Sequence, residues 1–375
     1  MKLFLTAGEP SGDRLGAALL AGLRSIVPDL EVQGVGGPLM AEQGLTSLFP
    51  MDDLSVMGIA EILPRYRLLR RRIGETAAAA VQARPDALIT IDSPDFSLRV
   101  IRKVRSRQKV HTVHYVAPTV WAWRSGRAMR MAPMVDQVLA LFPFEPPYLE
   151  AEGMRCDFVG HPVVTERQAS DSEVAALRAR LGPGAPVVLV LPGSRHGEVA
   201  RLAPIFGATL RRVAERHPNL RVLVPALPQR AAEVAQLASE WPGAPLIVTE
   251  REERRAAFKA ADVALAKSGT VTLELAAAGT PMVVGYDMTW ISRQILKRML
   301  RTDTVTLVNL VSETRAVPEF LGADCRPDLM ARALVRLLEN PSPQIEALET
   351  TMRRLGRGGT EPGLRAARAV LDGLP

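Results

Sequence analysis

The feature that most restricts this chain is a rhythm. Apolar runs of three to seven residues, each too short for a buried helix, alternate with longer amphipathic stretches. In the first half the runs are Leu3–Thr6, Glu31–Val35, Ala87–Ile91, Val110–Val116 and Gln137–Leu141. In the second half they are Val187–Leu191, Arg221–Val224, Leu246–Val248, Val263–Ala266 and Met282–Gly285. Helical patterns such as Arg14–Ile26, Ala203–Arg216 and Asp328–Leu338 fill the gaps. A β-α-β-α order predicts parallel sheets covered by helices on both faces, with ligands at the carboxyl edges of the strands. At 375 residues the chain exceeds one ordinary core. The break is placed in the polar passage that follows the Gly-His-Pro turn at Gly160. The expected plan is α/β: a Rossmann-like domain over residues 1–165, a second over 166–342 facing it across a cleft, and closing helices over 343–375 that return toward the first domain.

Charge narrows the partners. Forty-seven basic residues against 40 acidic ones leave a net charge of +7, which favours an anionic partner. Aromatic residues are 5% of the chain and do not interleave with basic runs, so no nucleic-acid partner is expected. Cys156 and Cys325 form no CxxC pair, which argues against a zinc site or a disulfide framework. The opening "MKLFLTAGEPSGD" has too short an apolar run for a signal peptide and reads as the first strand. No run approaches a membrane span. A cytoplasmic protein is expected, at most attached to a membrane surface.

Two glycine turns in the second half each follow a strand directly. In "VLVLPGSRHGEV", Gly193 allows a tight turn, Ser194 offers a hydroxyl, and Arg195 offers a planar fork that matches phosphate oxygens. In "ALAKSGTVTLE", Lys267, Ser268, Gly269 and Thr270 lead into a helix whose free amides suit an anion. Glu274 lies one helical turn on, where an acid suits the hydroxyls of a ribose. Each turn alone also fits an ordinary strand-to-helix loop with a capping hydroxyl. The chain has no GxxxxGK[ST] loop and no complete GxGxxG.

In the first half, strand Leu3–Thr6 opens into "AGEPSGDRLG", which brings Glu9, Ser11, Gly12 and Asp13 to the same edge as the turn "IDSPDF". Asp92 and Asp95 in that turn admit three roles: metal ligands, a helix cap, or a catalytic base. The metal role fits poorly, since the spacing is Asp-x-x-Asp and hard cations need more oxygens than one turn supplies. A hydroxyl attacking an activated carbon needs a carboxylate to take its proton. Asp95 is favoured as that base, with Asp92 as its structural partner.

The stretch "GIAEILPRYRLLRRRIGE" puts Ile62, Tyr66, Leu69 and Ile73 at helical spacing among Arg65, Arg67, Arg70, Arg71 and Arg72. Such a helix can lie on an anionic bilayer, each basic residue contributing about 1 kcal/mol near the surface. Equally, its apolar stripe can pack on its own sheet.

Taken in order, "GEPSGD" from Gly8, "VMGIAEIL" from Val56, "IDSPDF" from Ile91, "HYVAPTVWAWR" from His114, "FPFE" from Phe142, "GHP" from Gly160, "LPGSR" from Leu191, "SGTVTLE" from Ser268 and "PMVVGY" from Pro281 resemble the motifs of the lipid-A-disaccharide synthase family. They span nearly the whole chain. "LVNL" at Leu307–Leu310 resembles that family's "LPNL", with Val308 in place of Pro.

The resemblance implies a GT-B glycosyltransferase that needs neither metal nor cofactor. It would join UDP-2,3-diacylglucosamine to 2,3-diacylglucosamine 1-phosphate, releasing UDP, on the inner face of the inner membrane of Gram-negative bacteria. It matches Asp95 to the catalytic acid position, Arg195, Glu274 and Asn309 to the UDP site, and Glu9 and Ser11 to the other loop, and it leaves room for a homodimer. The rivals are another GT-B UDP-sugar enzyme, either an N-acetylglucosamine transferase with a lipid-linked acceptor or an epimerase, and a non-catalytic nucleotide-sugar-binding membrane scaffold.

Overall fold

The protein is described here from a computed structural model. It covers residues 1–54, 59–119, 126–288 and 302–375, with the backbone alone for 59–65. Two compact units emerge from the contacts: Met1–Pro162 with Gly358–Pro375, and Val163–Arg357.

The first unit holds a seven-stranded parallel sheet. Its strands are β1 (Lys2–Ala7), β2 (Glu31–Val35), β3 (Thr46–Ser47), β4 (Ala87–Ile91), β5 (His111–Tyr115), β6 (Gln137–Ala140) and β7 (Arg155–Phe158), in the order β3-β2-β1-β4-β5-β6-β7. β4 sits centrally and is buried along its whole length, which is why its sequence is a continuous apolar run rather than an alternating one. The second unit holds a six-stranded sheet of β8 (Val187–Leu191), β9 (Arg221–Pro225), β10 (Leu246–Val248), β11 (Val263–Lys267), β12 (Met282–Tyr286) and β13 (Glu319–Leu321), in the order β10-β9-β8-β11-β12-β13.

In both sheets the winding reverses at one place: between β1 and β4, and between β8 and β11. At such a point neighbouring strands send their chains to opposite faces, the following loops part, and a crevice opens at the carboxyl edge. All ten strand runs expected from sequence are present. The three additional strands, β3, β7 and β13, close sheet edges, are short, and carry polar residues in place of an apolar run.

The C-terminal residues 343–375 do not act as one returning element. Helix Ser342–Arg354 stays with the second unit, because Gln344 bonds both backbone groups of Met282 and donates to the Ala316 carbonyl. Helix Pro362–Gly373 joins the first unit. It packs so closely on helix Pro10–Ile26 that a Cβ on Gly363 would lie 2.5 Å from the Ala18 carbonyl oxygen. The buried Gln137 of β6 donates to the Ala369 carbonyl at 2.7 Å, and Arg365 donates to the Phe158 carbonyl at 2.8 Å.

Candidate functional site

The loops that leave the reversal point of the first sheet touch. Gly8 follows β1, and a Cβ there would stand 3.0 Å from the Ser93 hydroxyl oxygen in the turn after β4. That turn is strained: Asp92 (φ 52°) and Ser93 (φ 43°) are consecutive left-handed residues without being glycine. Asp92 is spent on holding it. Its amide donates to the Tyr115 carbonyl at 2.9 Å, its carboxylate accepts from the Ser93 amide at 2.8 Å, and its carbonyl accepts from the Ser97 hydroxyl at 2.7 Å.

Asp95 lies in the first turn of helix Pro94–Arg105 with its side chain 92% exposed, and its charged neighbour is Arg127, 3.9 Å away. Beneath this edge the buried His114 meets the Thr90 hydroxyl at 2.8 Å through Nδ1. Burial, with a smaller contribution from the Arg127 charge, pushes His114 down to about 4, so the ring is neutral at neutral pH.

The polar residues of the β1 loop part company. Ser11 is exposed and Glu9 half-buried, while Gly12 is buried against Ala7 and Ile91. Asp13 is 2% exposed and accepts from the amides of Gly37, Leu39 and Met40, so it holds the entry to helix Pro38–Glu42 rather than a ligand.

At the reversal point of the second sheet, the two glycine turns are tied by a residue that the sequence did not single out. Glu198 is 12% exposed and accepts from Lys267 Nζ at 2.9 Å, the Ser194 amide at 3.3 Å and the Arg195 amide at 3.4 Å. Burial works to raise its pKa, but Lys267 and the amides outweigh burial and hold the carboxyl below its ordinary value, so it is ionised. Gly193 (φ 128°) passes so near that a Cβ would meet Glu198 at 2.7 Å, which requires glycine on both counts. Arg195 keeps its side chain 68% exposed.

Gly193, Ser194, Lys267, Ser268, Gly269, Thr270 and Glu274 line one crevice of about 230 Å³, with Leu227 and Phe258 on its walls. Glu274 and Thr270 are exposed, on the helix Val271–Ala278 and at its N-cap. The guanidinium that lines this crevice is not that of Arg195 but that of Arg254, whose Nε is buried with no hydrogen-bond partner among the described residues. Its segment "REERR" reads from sequence as a solvated helix face, so no signal pointed to it.

Two expectations change. Asn309 is 1% exposed, and its amide is fully used by Thr304, Glu319 and both backbone groups of Val317. It shapes the loop before β13 and offers no free donor to a nucleotide. In the arginine-rich helix Ile59–Ala83, Ile73 is 6% exposed and Leu69 packs on the same core, so this part of the stripe faces the protein. Arg72 is bound to Asp53 and Glu75, and Arg71 to Glu75. Tyr66, Arg67 and Arg70 remain exposed, and the side chains of Ile62 and Arg65 lie outside the described residues.

Two parallel-sheet α/β domains, each with a loop-lined winding reversal, define the GT-B class. Solved structures agree at the level of fold. A putative UDP-N-acetylglucosamine 2-epimerase from Listeria monocytogenes superposes with a TM-score of 0.64 at 14% identity, over 98% of this chain and 94% of that one. MurG of Acinetobacter baumannii gives 0.59 at 13%, over 100% and 98%. Sequence resolves the class further. Residues 3–361 match the family model described as lipid-A-disaccharide synthetase. The lipid-A-disaccharide synthase of Ruegeria pomeroyi is 60% identical over 100% of this chain and 96% of its own length; that of Rhodospirillum centenum is 48% identical over 99% and 94%. The chain belongs to the lipid-A-disaccharide synthase family and is a glycosyltransferase.

Proposed function

We propose that the protein transfers 2,3-diacylglucosamine from UDP-2,3-diacylglucosamine to the 6-hydroxyl of 2,3-diacylglucosamine 1-phosphate. Asp95 takes the hydroxyl proton as the oxygen forms its bond to the anomeric carbon. The bond from that carbon to the UDP phosphate oxygen breaks, its electron pair leaves with UDP, and the configuration inverts. Arg195, the amides around Gly269 and the Arg254 guanidinium offset the charge that develops on the leaving diphosphate. Glu274 holds the ribose.

The observation that carries this reading is a bare carboxylate, Asp95, fixed by a strained turn at a winding reversal. No helix among the described residues is long and apolar enough to cross a membrane. The acylated substrates are met at a bilayer surface, where Tyr66, Arg67 and Arg70 on the exposed side of their helix are available for anionic headgroups.

The test measures UDP release with each acylated sugar alone and then with both. Release that needs both sugars is expected. Turnover of the UDP-sugar without acceptor would replace this reading by an epimerase, and binding of UDP without any turnover would replace it by a scaffold.

A further inference from the structure

We propose that Arg127 is the group that recognises the phosphate of the acceptor sugar, placed beside Asp95 so that one ring is held by both. The inference rests on the acceptor assigned above. Two arginines of the first unit are equally buried and make an instructive pair. Arg72, 17% exposed, hydrogen-bonds to both Asp53 and Glu75. Among the described residues Arg127, 19% exposed, makes no hydrogen bond and has one ionic contact, Asp95 at 3.9 Å, beyond hydrogen-bond reach. A guanidinium carries five donors, and those of Arg127 are left open to a ligand. Phosphate and carboxylate both fill such a fork bidentately, and the acceptor assigned above carries a phosphate.

Position points the same way. In a glucosamine 1-phosphate the phosphate sits on C1 and the reacting hydroxyl on C6, which hangs from C5; C1 and C5 both bond to the ring oxygen. The two groups thus flank one edge of the ring. A cation and a carboxylate 3.9 Å apart match that edge, with Arg127 on the phosphate and Asp95 on the hydroxyl. The exposed Asp95 gives up little when Arg127 turns to the phosphate, since a 3.9 Å contact in water is weak. His114 beneath is neutral and bonded to Thr90, so it adds no competing charge.

The test is a two-by-two comparison of kcat/KM: wild type and Arg127→Ala, each with the phosphorylated acceptor and with its dephosphorylated counterpart. Wild type is expected to lose ~100-fold when the phosphate is removed. The variant is expected to lose a similar factor with the normal acceptor, and then less than ~3-fold on removing the phosphate, with KM for the UDP-sugar unchanged. A variant that still shows the full phosphate discrimination overturns the assignment. Should Arg127→Ala not fold, Arg127→Lys decides: its point charge is expected to retain part of the discrimination, and full retention overturns the proposal. Failure of the underlying function is distinct, because wild type would then release no UDP from the phosphorylated pair.

Discussion

The two winding reversals use the same ingredients and reach opposite ends. Each has a carboxylate beside a cation where strand gives way to helix. In the second unit the pair is drawn inward: Glu198 is 12% exposed, 2.9 Å from Lys267, and bonded to loop amides. In the first unit the pair is left open: Asp95 is 92% exposed and 3.9 Å from Arg127. The inward acid cannot give or take a proton without dismantling two loops, so it is architecture. Among the described residues the open acid makes no hydrogen bond, and the backbone before it is strained. An exposed acid on a strained turn is what the proposed base role asks for.

That contrast is broken most directly by Asp95→Asn. Loss of the base should lower kcat by ~100-fold, about 2.7 kcal/mol of barrier, with thermal stability unchanged. Near-normal turnover in this variant would make the exposed acid incidental. Glu198→Gln should do the reverse, costing about 2 kcal/mol of stability at neutral pH because Lys267 is left half-buried without its counter-charge. The sign with pH follows from the depressed carboxyl: its contribution is complete above its ordinary value of 4.5 and fades as pH falls through the lower folded value. The gap between wild type and variant should therefore hold above pH 4.5 and close only as pH falls below it through the folded value. A gap that persists in acid would place the effect elsewhere.

The strand plan was legible because buried parallel strands are written as bare apolar runs. The edges β3, β7 and β13 were not, since a half-exposed edge needs no such run. The glycine turns and Asp95 stand out locally, by residue type after a strand. Roles that depend on long-range partners do not. Glu198 is a helix residue until Lys267, far along the chain, arrives beside it. Asn309 matches a motif at the UDP site, yet only the fold shows its amide turned inward to Val317 and Glu319. The stripe of Ile73 and Leu69 fitted membrane or core equally, and only packing decides between them.

Arg254 sharpens the contrast from the nucleotide side. If it binds the diphosphate, Arg254→Ala should raise KM for the UDP-sugar ~10-fold and leave KM for the acceptor unchanged. Steady-state kinetics with each substrate varied in turn would check this. An unchanged KM for the UDP-sugar would return Arg254 to the helix surface.

The finest test concerns strain rather than charge. Ser93 holds φ 43° as the residue entering helix Pro94–Arg105, and its side chain makes no cap bond there. Ser93→Gly therefore removes no anchoring interaction. It relieves a left-handed strain of about 1–2 kcal/mol. It also gives the unfolded chain more freedom, worth about 0.4–1 kcal/mol in the other direction. Stability should shift by less than about 1 kcal/mol. A turn free to relax no longer fixes Asp95 against its hydroxyl, however, and small misplacements of a reacting group are expensive. kcat should fall ~5-fold with KM for the acceptor little changed. If kcat holds while the melting temperature rises, the strain serves no purpose in positioning, and the open acid owes its geometry to the helix alone.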